Sequence, residues 1–296
     1  MAAELTIGYS PCPNDTFIFY ALMHGKVGLE HISFADEILD DVETLNRWAL
    51  EGRLDVSKLS FHALGHVLDS YVMLTAGAAL GRGCGPLLVT TGRGRAMNME
   101  DWSIAIPGRY TTAAMLLRLY APRCGNLRLM RFDEIMEAVR RGRVDAGVII
   151  HESRFTYQDH GLECVQDLGA WWEELTGLPI PLGCIAARRT LGDTVLGEID
   201  RAVRASLQWA RAHPEQCRDY IRQHARELDE PILRSHIDLY VNDFSLGIGE
   251  EGKAAVAEFL RRGRAAGLFP ESDTTAWIGT DQCLARISRS PLITQT

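Results

Sequence analysis

Leu5-Thr6-Ile7-Gly8-Tyr9-Ser10-Pro11-Cys12-Pro13-Asn14-Asp15-Thr16-Phe17 carries an apolar strand through a two-proline loop and directly into a helix. Pro11 and Pro13 fix φ and hold the loop extended, and Asn14 or Asp15 supplies a capping oxygen. Phe17, Ile18, Tyr20 and Ala21 then begin an apolar helical stripe that Gly25 ends. N–H groups at such a start, backed by the positive end of the helix dipole, favour a carboxylate or phosphate, which makes Ser10 and Asn14 candidate ligands to an anion. A turn that only shapes the fold has the same spacing, and the loop alone leaves both readings open.

Outward from this loop, the chain repeats one plan. The first copy runs from Leu5 to Ser60: its second helix begins near Asp40 and Asp41, carries Val42, Leu45, Trp48 and Ala49, and stops at Gly52-Arg53 before the strand Leu54 to Leu59. The second opens with Trp102-Ser103-Ile104-Ala105-Ile106, turns through Pro107-Gly108-Arg109-Tyr110 and starts a helix at Thr111-Thr112-Ala113. A helix from Asp133 to Arg141, Gly142-Arg143 and the strand Val144 to Ile150 repeat the ending. This echo predicts two α/β lobes, each a mostly parallel sheet flanked by helices, with strand ends and helix starts facing a shared cleft.

Glycine-rich residues 77–85, leading into the strand 86–90, and residues 178–186 read as the two crossings between lobes, where glycine marks a hinge or a close backbone approach. Residues 1–85 with 188–296 then form the larger lobe and 86–187 the smaller. Beyond the second crossing the pattern is helical, over Asp193 to Ala212, Pro214 to Leu228, Pro231 to Tyr240 and Glu250 to Gly267, a tail expected to pack on the first lobe. The whole is a two-lobed arrangement like that of type II periplasmic binding proteins, in which ligand sits between lobes that close about a hinge.

Composition narrows the function. The 296 residues are 46% apolar and 24% charged, an ordinary globular balance. A net charge of −8 and a pI near 5.6, with no separate Lys/Arg cluster, argue against nucleic acid as a partner, so an anionic small molecule must be held by local groups. The opening Met1-Ala2-Ala3-Glu4-Leu5 has neither a positive nor an apolar leader region and no apolar run reaches bilayer length, which predicts a cytoplasmic protein with no membrane partner. Seven cysteines, at 12, 84, 124, 164, 184, 217 and 283, have no close pair and read as reduced thiols.

His151 stands just after the strand Val144 to Ile150, where α/β sheets place functional groups, and a neutral imidazole suits a general base. A hydrogen-bonded structural histidine is the competing reading. Glu152 is a poor choice to orient it if the strand continues, because successive side chains alternate faces. Ser57 and Lys58 offer a hydroxyl and an ammonium at the equivalent place in the first lobe, and Thr111, Thr112 and Ala113 repeat the anion-receiving helix start. Cys12 lies where a helix dipole lowers a thiol pKa, but nothing near it in sequence completes a nucleophile, so packing is favoured. Gly81-x-Gly83-x-Gly85 precedes a strand rather than joining strand to helix, which rejects a nucleotide loop, and His62 with His66 lacks a third metal ligand.

The segments Ser10 to Phe19, Asp41 to Asn46, Pro107 to Ala113, and Ile149 to Tyr157 resemble, in that order, the motifs of the 1,4-dihydroxy-6-naphthoate synthase family of the futalosine route to menaquinone. The likeness continues through Asp238-Leu239-Tyr240-Val241-Asn242. It implies the bilobal fold, no cofactor or metal, and conversion of cyclic dehypoxanthine futalosine to 1,4-dihydroxy-6-naphthoate with release of dihydroxyacetone by a carbon–carbon lyase. By position it implies His151 as proton acceptor and Val56-Ser57-Lys58 and Thr112-Ala113 as substrate-binding segments, with Tyr110 where some relatives carry histidine. The rivals are a solute-binding protein without chemistry and the sister enzyme that dehydrates chorismate, against which His151-Glu152-Ser153-Arg154 speaks.

Overall fold

Two mixed β-sheets built on one strand plan organise the chain in a computed structural model that describes residues 3–92, 98–225 and 229–279. The first pass comprises β1 (Ala3–Leu5), β2 (Ile7–Tyr9), α1 (Pro13–Met23), β3 (Ile32–Phe34), β4 (Ile38–Leu39), α2 (Val42–Leu50), β5 (Val56–Ser60), α3 (Phe61–Val67), β6 (Tyr71–Met73) and β7 (Ala79–Gly81). The second lobe contributes β8 (Leu87–Thr90), β9 (Ile104–Ile106), α4 (Thr112–Tyr120), β10 (Leu127–Leu129), α5 (Ile135–Arg140), β11 (Ala146–Ile149), α6 (Ser153–Thr156), β12 (Glu163–Asp167) and α7 (Leu168–Thr176). The long β13 (Ile180–Arg188) returns to the first sheet, followed by α8 (Gly192–Ala212), α9 (Pro214–His224), α10 (Glu230–Tyr240), α11 (Asp243–Leu246) and α12 (Gly249–Ala265).

The strand orders are β4-β2-β5-β13-β6, with β7 also on β13, and β10-β9-β11-β8-β12. In both, the first three strands are parallel and the remaining pairings antiparallel. The two copies of the repeat therefore hold the same place in their sheets. The expected mostly parallel sheets are mixed because β8, which follows the first crossing, and β13, which carries the second, run against the units they join. A short β1–β3 ladder stands apart.

Local chemistry sets the helix ends. Asp41 Oδ1 accepts from the Glu43 and Thr44 N–H groups at 2.9 and 3.3 Å to start α2, and Gly52 ends that turn at φ 65°. Thr111 Oγ1 accepts from Ala114 N–H at 3.2 Å to start α4. The start of α1 differs from expectation: Cys12 is its N-cap and makes no side-chain cap, while Asn14 and Asp15 lie inside the helix with buried side chains. Nor is α1 a stripe. It packs against α8, α9 and α10, and all but one of its residues from Pro13 to Leu22 are buried.

Ile7, Tyr9, Val56 and Ile185 cover one face of the first sheet with α1 and α8, and Leu59, Met73 and Ala186 pack on the other side with α3 and α12. Each such buried aliphatic side chain contributes about 1.5–3 kcal/mol. The tail reaches beyond the first lobe, because Phe259 of α12 meets Trp172 of α7 with ring centroids 5.7 Å apart. At the first crossing, a Cβ on Gly85 would stand 2.3 Å from Gly169 Cα, so this glycine serves a close backbone approach. The stretch Arg226 to Leu228, where the second helix expected in the tail was to end, and Cys283 lie outside the described residues.

Candidate active site

An open cavity lies between the sheets. One wall is the start of α1, with Ser10, Asn14 and Asp15; another is the end of β5, with Lys58 and Ser60. Thr111, Thr112 and Ala113 at the start of α4 face it from the second lobe, and Ile150 and His151 close it after β11. The two helix starts and two strand ends marked in the sequence thus border one space.

Of Val56-Ser57-Lys58, Lys58 alone lines the cavity. Val56 pairs with Ile7 deep in the first sheet and belongs to its core, and Ser57 is fully buried, its hydroxyl donating to Lys58 O at 3.2 Å. Lys58 Nζ lies 2.7 Å from Asp15 Oδ1, with both side chains almost wholly buried. Asp15 also accepts from Ser10 Oγ at 2.7 Å and from Asn14 Nδ2 at 2.8 Å. A buried ion pair persists when hydrogen bonds complete it, and this one commits Lys58 to a carboxylate of the chain itself.

The start of α4 is arranged differently. Thr112 Oγ1 donates to Leu182 O at 2.7 Å, which ties α4 to β13, while the Thr112 and Ala113 N–H groups precede the first intrahelical bond. Just ahead, Glu43 of α2 reaches across from the other lobe. Its Oε1 accepts from Arg109 N–H at 2.7 Å and its Oε2 from Tyr110 N–H at 3.0 Å. Burial pushes the Glu43 carboxyl up from its ordinary value, against the pull of these N–H groups. A Cβ at Gly108 would fall 2.4 Å from Glu43 Oε2, so the loop approaches that carboxylate only as glycine.

His151 is the one non-glycine residue of positive φ among the described residues, at 58°. The strand ends at Ile149 and the chain turns there, so strand alternation does not govern Glu152. A non-glycine residue in this region costs about 1–2 kcal/mol, a strain typical of functional positions. The ring stands edge-on to Phe132 at 5.0 Å and stacks on His236 at 6.1 Å. Burial lowers its pKa below the usual imidazole value, with Glu152 and Asp15 pulling upward and Lys58 downward. The imidazole is therefore neutral near pH 7 and open to accept a proton.

Cys12 Sγ lies 3.6 Å from His151 Nδ1, a partner 139 residues away in sequence. Burial, then Glu152, raises this thiol above its ordinary pKa despite its place at a helix start, so it remains a neutral S–H. Asn14 Oδ1 accepts from His236 Nε2 at 2.9 Å. Glu43, Cys12 beside His151, and His236 are the members that sequence reasoning missed as site residues; only the Asp41-to-Asn46 motif pointed toward Glu43. His62, set aside as a metal ligand, holds Thr111 O through Nδ1 at 3.1 Å. Among the described residues no three His, Cys, Asp or Glu side chains gather as a metal site, and no helix is long and apolar enough to cross a membrane.

This geometry has relatives. A family model described as menaquinone biosynthesis matches residues 5–265. The chain is 54% identical over 268 residues to a 1,4-dihydroxy-6-naphthoate synthase of Thermus thermophilus, covering 90% of this chain and 97% of that protein. It is 47% identical over 274 residues to the synthase of Streptomyces coelicolor, covering 91% and 96%. A crystal structure of an Archaeoglobus fulgidus protein superposes with a TM-score of 0.84 at 38% identity, over 90% of this chain and 98% of that one. The periplasmic aliphatic sulphonate binding protein of Escherichia coli shares the fold at a TM-score of 0.62 and 13% identity, over 100% and 97%. Two lobes around one cavity, a family match across most of the length and relatives at half identity agree: the chain is an enzyme that belongs to the menaquinone biosynthesis family, among proteins similar to 1,4-dihydroxy-6-naphthoate synthases.

Proposed function

We propose that the cavity converts cyclic dehypoxanthine futalosine to 1,4-dihydroxy-6-naphthoate with release of dihydroxyacetone, a carbon–carbon cleavage carried out in the cytoplasm. The observation that carries this reading is the neutral His151 imidazole on the same cavity as the open N–H start of α4. A carboxylate on the substrate belongs at the Thr112 and Ala113 N–H groups, because Lys58 is already paired with Asp15. His151 removes a proton, the bond to the leaving fragment breaks, and aromatisation of the bicyclic ring supplies driving force. Closure of the larger lobe, 1–85 with 188–296, on the smaller, 86–187, excludes water and aligns the base.

A positioned general base is worth about a hundred- to ten-thousand-fold in rate. Accordingly His151→Asn retains substrate binding and loses turnover by about that factor, read as naphthoate formation by mass spectrometry. A variant with near-wild-type kcat removes His151 from the base role, and wild-type protein that binds the substrate tightly without product points to a binding function instead.

A further inference from the structure

His236 of α10 is fully buried, and its Nε2 donates to Asn14 Oδ1. The other side of that amide fixes the assignment: Asn14 Nδ2 donates to Asp15 Oδ1, so the amide oxygen faces the imidazole and Nε2 carries the hydrogen. Neutral His236 then has a bare lone pair on Nδ1. Glu152 Oε2 stands 3.9 Å from it, and neither buried atom has a hydrogen-bond partner. A lone pair facing a carboxylate oxygen in a low-dielectric interior is repulsive, and one added proton makes the pair attractive, a charge-assisted hydrogen bond once the two atoms close from 3.9 Å.

The two residues come from different lobes, and each abuts His151. Glu152 follows it in the chain at the point of positive φ, and His236 stacks on its ring with planes 18° apart. We infer that Glu152 and His236 share one proton across the lobe boundary and so act as positioning residues that hold His151 in place. The inference rests on His151 as the base. The charged and titratable groups around the pair are His151 itself, Lys58 of β5, Cys12 and Asp15 of α1, and Tyr240 of α10. Burial, then His151 and Lys58, hold the His236 imidazole well below its ordinary pKa, so an added proton stays only through its contact with Glu152, while the Asp15 carboxylate is spent on Lys58.

The shared proton is held at low pH and lost as pH rises, so wild-type kcat falls on the alkaline side. In Glu152→Gln the amide N–H is placed to donate to His236 Nδ1 at any pH, so this variant retains far more turnover than Glu152→Ala and loses the fall with rising pH. Glu152→Ala drops kcat about a hundredfold with KM nearly unchanged, the scale of a misplaced catalytic group. Loss in Glu152→Gln equal to that in Glu152→Ala, or an unchanged alkaline limb, overturns the inference. Histidine nitrogen NMR reads the same proton without turnover and so separates this inference from the proposed reaction. As pH rises the wild-type His236 Nδ1 signal moves to the free-imidazole position, and in Glu152→Ala it stays there throughout. A wild-type signal at the free-imidazole position across the range overturns the sharing, whether or not the protein forms product.

Discussion

The starts of α1 and α4 border the same cavity, yet one is filled by the chain itself and the other is left open. At α1 the Asp15 carboxylate, bound by Ser10, Asn14 and Lys58, occupies the place an anion would take. At α4 the neighbouring carboxylate, Glu43, is committed to the preceding Arg109 and Tyr110 N–H groups, leaving those of Thr112 and Ala113, two residues that line the cavity, ahead of the first intrahelical bond. Capping differs in the same sense, since Thr111 caps α4 with its side chain and Cys12 makes no side-chain cap on α1. A strand–loop–helix signature therefore states where an anion fits, while its occupancy is decided by residues far away in sequence.

The sharpest way to break the comparison is to empty the filled side. Lys58→Met leaves the buried Asp15 carboxylate unpaired and is expected to cost about 3–5 kcal/mol in urea denaturation, much of it recovered when Asp15→Leu is added. A cost below about 1 kcal/mol would mean that Asp15 is not held as an internal anion and that the two starts are alike. On the open side, Thr112→Pro deletes one cavity-facing N–H at the first helical position, where Thr111 is already extended at φ −74° and ψ 148°. Hydrogen bonds to charged groups are worth about 1.5–3 kcal/mol, so calorimetric affinity for 1,4-dihydroxy-6-naphthoate should fall tenfold or more. Thr112→Val keeps the N–H while losing the bond to Leu182 O, and should bind distinctly better; equal loss in both would place the anion elsewhere. Smallest is the cap itself: Thr111→Ala should lower stability by about 1 kcal/mol.

Local grammar made the fold legible. Asp41, Gly52 and Thr111 announce helix ends within a few residues of themselves, and the duplicated strand–helix plan reappears as the same three parallel strands in both sheets. Sheet direction was less legible, because β8 and β13 owe their orientation to where the chain crosses rather than to their own pattern. In the site, the position of His151 after a strand was visible in sequence. Its environment was not: Lys58 meets Asp15 across 43 residues, Cys12 meets His151 across 139 and Asn14 meets His236 across 222. Such pairs leave no periodic trace, and burial turns them from surface charges into a fixed network.

β13 lies between β5 and β6 in the first sheet although it is made after the whole second sheet. During synthesis, residues 87–167 can complete their five strands while β5 still waits with an unpaired edge for Ile180–Arg188, and the α8 cover over Ile7 and Val56 arrives later still. The sheet translated second can therefore be complete before the first, although its Trp172 still waits for Phe259 of α12, and the open β5 edge is the stretch of nascent chain most in need of shielding from its neighbours.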